Sequence, residues 1–297
     1  MIFIKRELPI AWVPKAQSSW MNYISKKIIN ALLAIGIYYR RYYGIREKHV
    51  NIFARQPFIQ ELPFGLIVKS TDRPAEESIA TEAARAMGLP VARVLCYADY
   101  GPENEGHILM TRIPGETLWD VYKSYSNAEL ANIMTEVGSS LQRIRCFASP
   151  YGRAVCGPDG RGISTRAAPH GEWNRCESPE EYHDQMLQVV ASLEPSYEDR
   201  LEEAHKIKTK SYRVVLAHGD LHPSNIMVNE GHLSGIIDWG AAGWYPEYWD
   251  FVHPMSLWPH VCQSEKDLLY KVPGGGNYHQ ECKSWHEIAW LGHYAFY

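Results

Sequence analysis

Two neighbouring segments of the sequence carry most of its chemically capable side chains. The polar loop His218-Gly-Asp-Leu-His-Pro-Ser-Asn225 is followed, after a short apolar stretch, by Ile236-Ile-Asp-Trp-Gly240. Phosphoryl transfer needs a carboxylate that orients the attacking hydroxyl, and hard oxygen ligands for a metal that bridges phosphate oxygens. Asp220 offers the carboxylate, and Asn225 and Asp238 offer the oxygens. A lone Asp in a loop usually only bonds the local backbone, but the combined pattern predicts a metal-dependent phosphotransferase site.

These segments resemble those of a known family. HGDLHPSN is similar to the catalytic loop of the aminoglycoside phosphotransferase/choline kinase family, especially its fungal-type members, and IDWG is similar to its metal-binding segment. The resemblance implies that Asp220 is the catalytic base and that Asn225 and Asp238 hold Mg²⁺. It also implies that Asp250, a few residues further on, braces the catalytic loop.

The resemblance extends upstream to a lysine and an acidic partner. Leu62-Pro-Phe-Gly-Leu-Ile-Val-Lys69 resembles the strand whose lysine grips the α- and β-phosphates of ATP, a task that suits a compact charge on a flexible stem. The segment AEESIATEAARAMGLPV resembles the helix that follows this strand in the family. Counting along that helix favours Glu77 as the partner of the lysine, with Glu82 and Glu76 as alternatives.

A third segment resembles the hinge between the two lobes of the family. Ile108-Leu-Met-Thr-Arg-Ile-Pro-Gly115 occupies the corresponding place in the sequence. The resemblance implies that backbone groups from Thr111 to Ile113 bind adenine, that Met110 lines the pocket, and that Ile237 packs from below. ATP and Mg²⁺ are therefore the expected cofactors.

One feature departs from the family pattern. The stretch QPFIQELPFG, which precedes the lysine strand, contains a single glycine rather than a glycine-rich phosphate loop. This departure motivates a second hypothesis, in which the chain is a non-catalytic or repurposed kinase-fold protein that binds a metabolite or a partner. The presence of all three polar residues, Asp220, Asn225 and Asp238, favours the enzyme.

The elements around these motifs predict an α/β (α+β) chain with a two-lobed protein-kinase-like fold. A strand, a helix and two more strands are expected at 65–69, 75–87, 91–97 and 106–112, which suits a small antiparallel sheet with one helix against it. An apolar helical stripe spans 127–146, and 147–177 is expected to be a long loop. We therefore expect a helical extension at 1–50, a small β-rich nucleotide-binding lobe at 51–113 and a mainly helical lobe at 114–297.

Composition limits the alternatives. Apolar residues make up 45% and charged residues 22% of the 297 residues, which is typical of a globular protein. The net charge of −4 gives no strong nucleic-acid field, and no nucleic-acid partner is expected. The six cysteines are scattered and no secretory signal is evident, so we expect a reduced, cytoplasmic protein.

The first fifty residues are basic. They hold nine lysines and arginines against two glutamates, a charge of +7 that leaves −11 for the rest. The apolar stretch 28–39 has about twelve residues, and crossing a bilayer takes roughly twenty. We favour a helix that packs on the enzyme body and exposes a basic face. Contact of residues 18–43 with a membrane surface is the less favoured alternative.

The predicted activity is the transfer of the γ-phosphoryl group of ATP to a hydroxyl group of a small molecule. Acceptor contacts are expected in variable segments such as 147–177 and the C-terminal tail. The motifs therefore predict a small-molecule kinase, but they leave the acceptor and the oligomeric state open.

Overall fold

The computed structural model describes residues 6–7, 16–43, 59–101, 104–165, 171–191, 198–256, 272 and 275–294. The strands are β1 (Arg6–Glu7), β2 (Ile59–Leu62), β3 (Leu66–Thr71), β4 (Val94–Ala98), β5 (Gly106–Thr111), β6 (Glu116–Thr117), β7 (Phe147–Ala148), β8 (Ile163–Thr165), β9 (Gly171–Trp173), β10 (Val214–Ala217), β11 (Ile226–Asn229), β12 (His232–Ile236) and β13 (Gly243–Pro246). The helices are α1 (Ser19–Tyr43), α2 (Pro74–Ala86), α3 (Leu118–Val121), α4 (Asn127–Ile144), α5 (Pro179–Ala191), α6 (Glu198–His205), α7 (Trp249–Ser256) and α8 (His279–Tyr294).

The N-terminal half is built on an antiparallel sheet with a helix on each face. Its strand order is β2-β3-β5-β4. Because successive side chains of a strand point to opposite faces, Leu109 belongs to the apolar cluster under α1, whereas Ile108 and Met110 belong to the cluster under α2. The predicted sheet with one helix is therefore confirmed, and α1 adds a second helix on the other face.

Local chemistry explains where α2 begins and ends. Pro74 occupies the first helical position, where its missing N–H costs nothing. The helix ends at Ala86, and Gly88 takes a φ of +87°, which favours glycine. The strand predicted from residue 91 begins only at Val94, and before it the carbonyl of Pro90 accepts the N–H of Ile236 from the second half of the chain.

Helix α4 forms the centre of the larger core. Ser126 and Glu129 form a capping box at its start, which satisfies backbone N–H groups of the first turn. The predicted apolar stripe is buried along the whole helix: Leu130, Ile133, Met134, Val137, Leu141 and Ile144. The helix expected at 127–146 is confirmed.

The strands of the second half position the polar loop and Asp238. Strand β10 pairs with β13, and a three-stranded sheet has the order β12-β11-β6. Segment 218–225 therefore joins β10 to β11, which belong to different sheets, and Asp238 follows the end of β12. The region 147–177 is not wholly loop, because it contributes β7, β8 and β9, each two or three residues long. Strand β7 pairs with the distant β1, whereas β8 and β9 pair with each other. Strands this short leave little periodicity in the sequence.

The structure also bears on membrane crossing. Within the described ranges, no helix is both long enough and apolar enough to cross a bilayer.

A buried histidine lies among the aromatic side chains of the second half. His183 forms a 2.8 Å hydrogen bond with the hydroxyl of Tyr248, and its ring stacks on that of Tyr248. Burial disfavours the charged imidazolium and lowers the pKa of His183 to about 4. The neutral ring is therefore part of the folded core at neutral pH.

This burial predicts a pH-dependent stability. The unfolded chain binds a proton at His183 near pH 6.5, and the folded chain does so only near pH 4. As the pH falls between these values the unfolded state binds more protons, so the free energy of unfolding decreases. In urea unfolding at pH 7 and pH 5, we expect the parent to lose about 1–2 kcal/mol more than His183→Gln. Equal losses in the two proteins would contradict the prediction.

Candidate active site

The polar loop starts at the end of a buried strand and turns at once. Every residue of β10 is buried, and His218 follows it. Gly219 takes a φ of +83°, and a Cβ added there would lie 2.0 Å from the carbonyl oxygen of Ala241. A larger residue fits neither the backbone conformation nor the space. The turn that presents Asp220 therefore requires glycine.

A buried carboxylate fastens the start of the loop. Oδ2 of Asp250 accepts the N–H of His218 at 3.1 Å, and Oδ1 accepts the N–H of Gly219 at 3.0 Å. Asp250 comes from the second residue of α7 and is buried. Charge-assisted hydrogen bonds of this kind are stronger than neutral ones. The carboxylate thus holds the backbone of the loop rather than pointing into the reacting centre.

His218 connects the loop to the segment that carries Asp238. Its Nε2 donates to the carbonyl oxygen of Ile237 at 2.8 Å, and its Nδ1 accepts the N–H of Asp220 at 3.3 Å. These two roles require the neutral ring, and burial lowers the pKa of His218 accordingly. The imidazole therefore fixes the positions of Asp220 and Asp238 relative to each other.

Asn225 makes a second connection between the same two segments. Its side-chain Nδ2 donates to the carbonyl oxygen of Asp220 at 2.8 Å, and its own carbonyl oxygen accepts the N–H of Ile237 at 2.9 Å. Nδ2 also lies 3.2 Å from Nε2 of His222. The amide is therefore held through its nitrogen, with the orientation of its oxygen fixed by these contacts.

Asp220 is ionised at neutral pH. Burial acts to raise its pKa, but the electrostatic influence of the neighbouring His222, His253 and His218 outweighs it and lowers the pKa to about 2. The carboxylate oxygen Oδ2 lies 3.6 Å from Nε2 of His222. The loop thus presents a carboxylate with little tendency to take up a proton.

Lys69 bridges two carboxylates. Its Nζ lies 2.6 Å from Oε1 of Glu77 and 2.6 Å from Oδ1 of Asp238. Burial acts to lower the pKa of the ammonium, but the two carboxylates outweigh it and the pKa is raised.

Asp238 itself takes a φ of +63°, a left-handed conformation that is unusual for a residue other than glycine.

The other two candidate partners of the lysine lie elsewhere. Glu76 faces Arg161 at 3.4 Å. Oε1 of Glu82 accepts the N–H of Val94 at 2.9 Å, and the same carboxylate pairs with Arg85. The structure therefore resolves the choice left open by the sequence, and brings Glu77 to Lys69.

Two backbone N–H groups of the hinge segment already donate to other backbone carbonyls. The N–H of Thr111 donates to the carbonyl of Arg93 at 3.0 Å, and the N–H of Arg112 donates to the carbonyl of Gly65 at 2.7 Å. Met110 is buried in an apolar cluster against which Ile113 packs. Ile237 lies apart from this cluster, at the contact between the polar loop and the segment after β12.

Two contributions were not assigned from the sequence. His218 and His222 belong to the polar loop, but the sequence predicts no role for either of them. A loop histidine has no periodicity that reveals its partners, so only the folded structure shows that both contact the Asp220–Asn225 region. Their place inside a dense polar motif was the available signal.

The donor set suits a hard cation that keeps much of its own hydration. In the parts of the chain that the structure describes, no three His, Cys, Asp or Glu side chains converge as a metal cluster. Asn225 and Asp238 instead offer one amide oxygen and one carboxylate. Mg²⁺ is usually bound by one or two carboxylates, waters and substrate phosphates, so these residues fit it.

Comparison with known proteins identifies the family of the chain. The family model described as the phosphotransferase enzyme family matches residues 65–269, which is more than two thirds of the sequence. No curated protein sequence matches significantly.

The fold is similar to that of solved aminoglycoside phosphotransferases. The crystal structure of aminoglycoside phosphotransferase APH(4)-Ia has a TM-score of 0.57 and 14% identity, covering 87% of this chain and 89% of that one. A mutant of aminoglycoside 2'-phosphotransferase-IIIa in complex with GDP has a TM-score of 0.56 and 10% identity, covering 89% of each chain. These similarities confirm the two-lobed kinase-like fold.

The bonds made by Asp250 predict a cost for neutralising it. In the parent, each carboxylate oxygen of Asp250 accepts one backbone N–H. In Asp250→Asn, an amide nitrogen that cannot accept replaces one of these oxygens, and the remaining amide oxygen is a weaker acceptor. We expect the free energy of unfolding to fall by about 2–4 kcal/mol, measured by urea unfolding.

An exposed aspartate supplies the control. Asp199→Asn on α6 alters a carboxylate at the surface, and we expect a change within about 0.5 kcal/mol. An Asp250→Asn variant as stable as Asp199→Asn would refute the structural role of Asp250.

Proposed function

Because the chain belongs to the phosphotransferase enzyme family, we propose that it transfers the γ-phosphoryl group of ATP, with Mg²⁺, to a hydroxyl group of a small molecule. The observation that carries the proposal is the convergence of Lys69, Glu77 and Asp238 beside the loop of Asp220 and Asn225. A charged lysine, two side chains whose oxygens suit a metal and an ionised carboxylate are the parts that phosphoryl transfer requires.

Lys69 is the nucleotide-phosphate ligand in this proposal. Glu77 holds the ammonium through a buried 2.6 Å contact, so that the charge is fixed near Asp238. A preorganised charge needs no rearrangement when negative charge shifts during transfer. We expect the α- and β-phosphates to share this lysine with Glu77.

Asn225 and Asp238 are the proposed metal ligands. The nitrogen of the Asn225 amide is engaged with the carbonyl of Asp220, so we expect its oxygen to face the metal. When bound, Mg²⁺ supplies neutralising charge at the phosphate oxygens. The connections through His218 and Asn225 keep the two ligand-bearing segments in one arrangement before the metal arrives.

Asp220 is the proposed catalytic base. With a pKa of about 2, its carboxylate is a weak base toward a free hydroxyl. In a loose transition state the attacking hydroxyl keeps its proton until late, and positioning matters most. We therefore propose that Asp220 orients the acceptor hydroxyl and takes its proton as the new phosphate ester forms.

Adenine binding is proposed at the hinge. Since the amides of Thr111 and Arg112 already donate to other backbone groups, we expect the N–H of Ile113 to be the donor to the base. The carbonyl of Thr111 is the corresponding acceptor, with Met110 and Ile237 as apolar walls. This assignment also sets the proposed boundary between the lobes, 51–113 and 114–297, at the hinge, with 1–50 as an N-terminal extension.

Solved relatives support the choice of ligands. A thermostable mutant of APH(4)-Ia was solved as a ternary complex with ADP and hygromycin B. That complex concerns another protein of similar fold, and it holds ADP and hygromycin B together. We propose a small-molecule acceptor, no nucleic-acid partner and a cytoplasmic location.

One observation favours a second candidate, a kinase-fold protein that binds without catalysis. The turn before the lysine strand, Pro63–Gly65, is a single 3-10 turn in which Phe64 is 98% exposed. It offers no run of glycines to approach phosphates. Residues 56–58, which begin the same stretch of sequence, lie outside the described residues.

Thermal unfolding with and without Mg²⁺-ATP separates the two candidates. A ligand at 100 times its Kd stabilises the folded state by about 2.7 kcal/mol, so we expect a clear rise in the Tm of the parent. The rise should largely vanish in Asp238→Ala and when EDTA replaces Mg²⁺. The control Asp199→Ala should keep it. No rise in the parent at saturating nucleotide would refute the proposed nucleotide site.

Catalysis itself is tested at Asp220. In an ADP-release assay across a panel of hydroxylated small molecules, we expect Asp220→Asn to reduce the rate with any accepted compound by about 10²–10⁴-fold. The Mg²⁺-ATP-dependent rise in Tm should remain, because the carboxylate faces the acceptor rather than the nucleotide. A variant as fast as the parent would overturn the assignment of Asp220.

A further inference from the structure

Helix α1 is firmly attached to the sheet by one of its faces. Ile29 and Ser25 are buried on this face. The Asn22 side chain donates to the carbonyl of Asp99 and accepts the N–H of the same residue, both at 2.9 Å. Gln60 donates to the carbonyl of Leu33 at 3.0 Å. The helix is therefore a fixed part of the N-terminal lobe, and its other face points away from the sheet.

The opposite face of α1 is apolar as well. Trp20 is 67% exposed and Ile35 is 53% exposed. The spacing of 3.6 residues per turn places these two residues and Ile28 on one stripe, turned away from Ile29. Among the side chains of the helix that the structure describes, the large exposed apolar and aromatic ones are Trp20, Met21, Tyr23, Ile28, Ile35 and Tyr38. The outward face of a helix on a globular protein is normally polar or charged, so this surface indicates a binding partner.

The charges of the helix indicate what kind of partner it is. The sequence of α1 contains four cationic residues, Lys26, Lys27, Arg40 and Arg41, and no acidic residue. Lys27 is exposed on the outward face, with its Nζ 5.5 Å from the ring centre of Tyr23. The first fifty residues carry +7, whereas the rest of the chain carries −11. The apolar stripe thus lies within a cationic region of an otherwise acidic protein.

We propose that the outward face of α1 docks on an anionic lipid membrane surface. Tryptophan and tyrosine favour the membrane–water interface, and the helix carries them near both ends. An apolar stripe with flanking cations is the pattern of a helix that lies in the plane of the interface. Each cation near an anionic surface contributes about 1 kcal/mol. The sequence favours a helix that packs on the enzyme body with a solvated basic face; the helix does pack on the sheet and exposes Lys27, but most of its large exposed side chains are apolar or aromatic.

A second copy of the chain suits this face less well. A two-fold interface places each patch against its own copy. Lys27 would then lie near the partner's cations with no acidic residue of the helix to offset them. Like charges facing each other oppose association. An anionic lipid surface meets both the apolar and the charge requirement.

Vesicle co-sedimentation tests the proposal on the full chain. Vesicles of phosphatidylcholine mixed with phosphatidylserine are compared with vesicles of phosphatidylcholine alone. We expect the parent to sediment with the anionic vesicles and at least about tenfold less with the neutral ones. The double variant Trp20→Ser, Ile35→Ser should bind the anionic vesicles at least about tenfold more weakly, and Lys27→Glu should also weaken binding.

A matched control uses an exposed tryptophan in the other lobe. Trp119 is 46% exposed on α3, and Trp119→Ser should bind vesicles as the parent does. All variants change exposed side chains, so their unfolding temperatures should remain near that of the parent, which verifies that they are folded.

Two outcomes would overturn the proposal. The first is a parent that stays in the supernatant with both kinds of vesicle. The second is a parent that forms a dimer in sedimentation velocity which the double variant abolishes, because a second copy would then be the occupant of the face. Vesicle binding does not depend on ATP or on an acceptor, so either result leaves the proposed function untouched.

Discussion

A lysine that keeps its charge inside a protein needs partners that compensate that charge, and this requirement organises the site around Lys69. Without partners, burial would drive the group to lose its proton or would destabilise the fold by several kcal/mol. Here the partners come from two distant places in the chain, Glu77 on α2 and Asp238 after β12. Pairing this one charge therefore fixes the sheet, the helix behind it and the segment that carries Asp238 in a single arrangement.

Neutral and charged hydrogen bonds connect the polar loop 218–225 to this arrangement. His218 contacts both Asp220 and Ile237, and Asp250 fixes the backbone at the start of the loop. Asn225 makes a second connection between the same segments through its bonds with Asp220 and Ile237. Because two independent connections join the loop to the segment of Asp238, the polar groups are held in place before any ligand binds. Such preorganisation is what phosphoryl transfer asks of a protein.

Sequence patterns predicted what depends on local chemistry and missed what depends on distant pairing. The helix α4 was predictable because its stripe and its cap lie within one stretch of chain, and the polar loop was visible as a motif. The partner of Lys69 was not decided, because Glu76, Glu77 and Glu82 lie on adjacent turns and only tertiary packing separates them. Strands β7, β8, β9 and β13 were not predicted because strands of two to four residues are too short to show an alternating pattern, and β7 and β13 also pair with residues that are distant in the sequence.

Helix α1 illustrates a further limit of periodicity. An apolar helix with scattered cations has more than one candidate inner face, and the sequence alone does not say which one meets the sheet. In the structure Asn22 and Ile29 lie against the sheet, so the stripe of Trp20 and Ile35 faces away from it. The sheet lies between this helix and α2, with Val68 packed toward α1 and Ile67 packed toward α2. Lys69 follows Ile67 on the same side of β3, so the face proposed to meet lipid and the face proposed to meet nucleotide are separated by the whole thickness of the sheet. One side of the lobe can therefore be occupied while the other remains open to substrates.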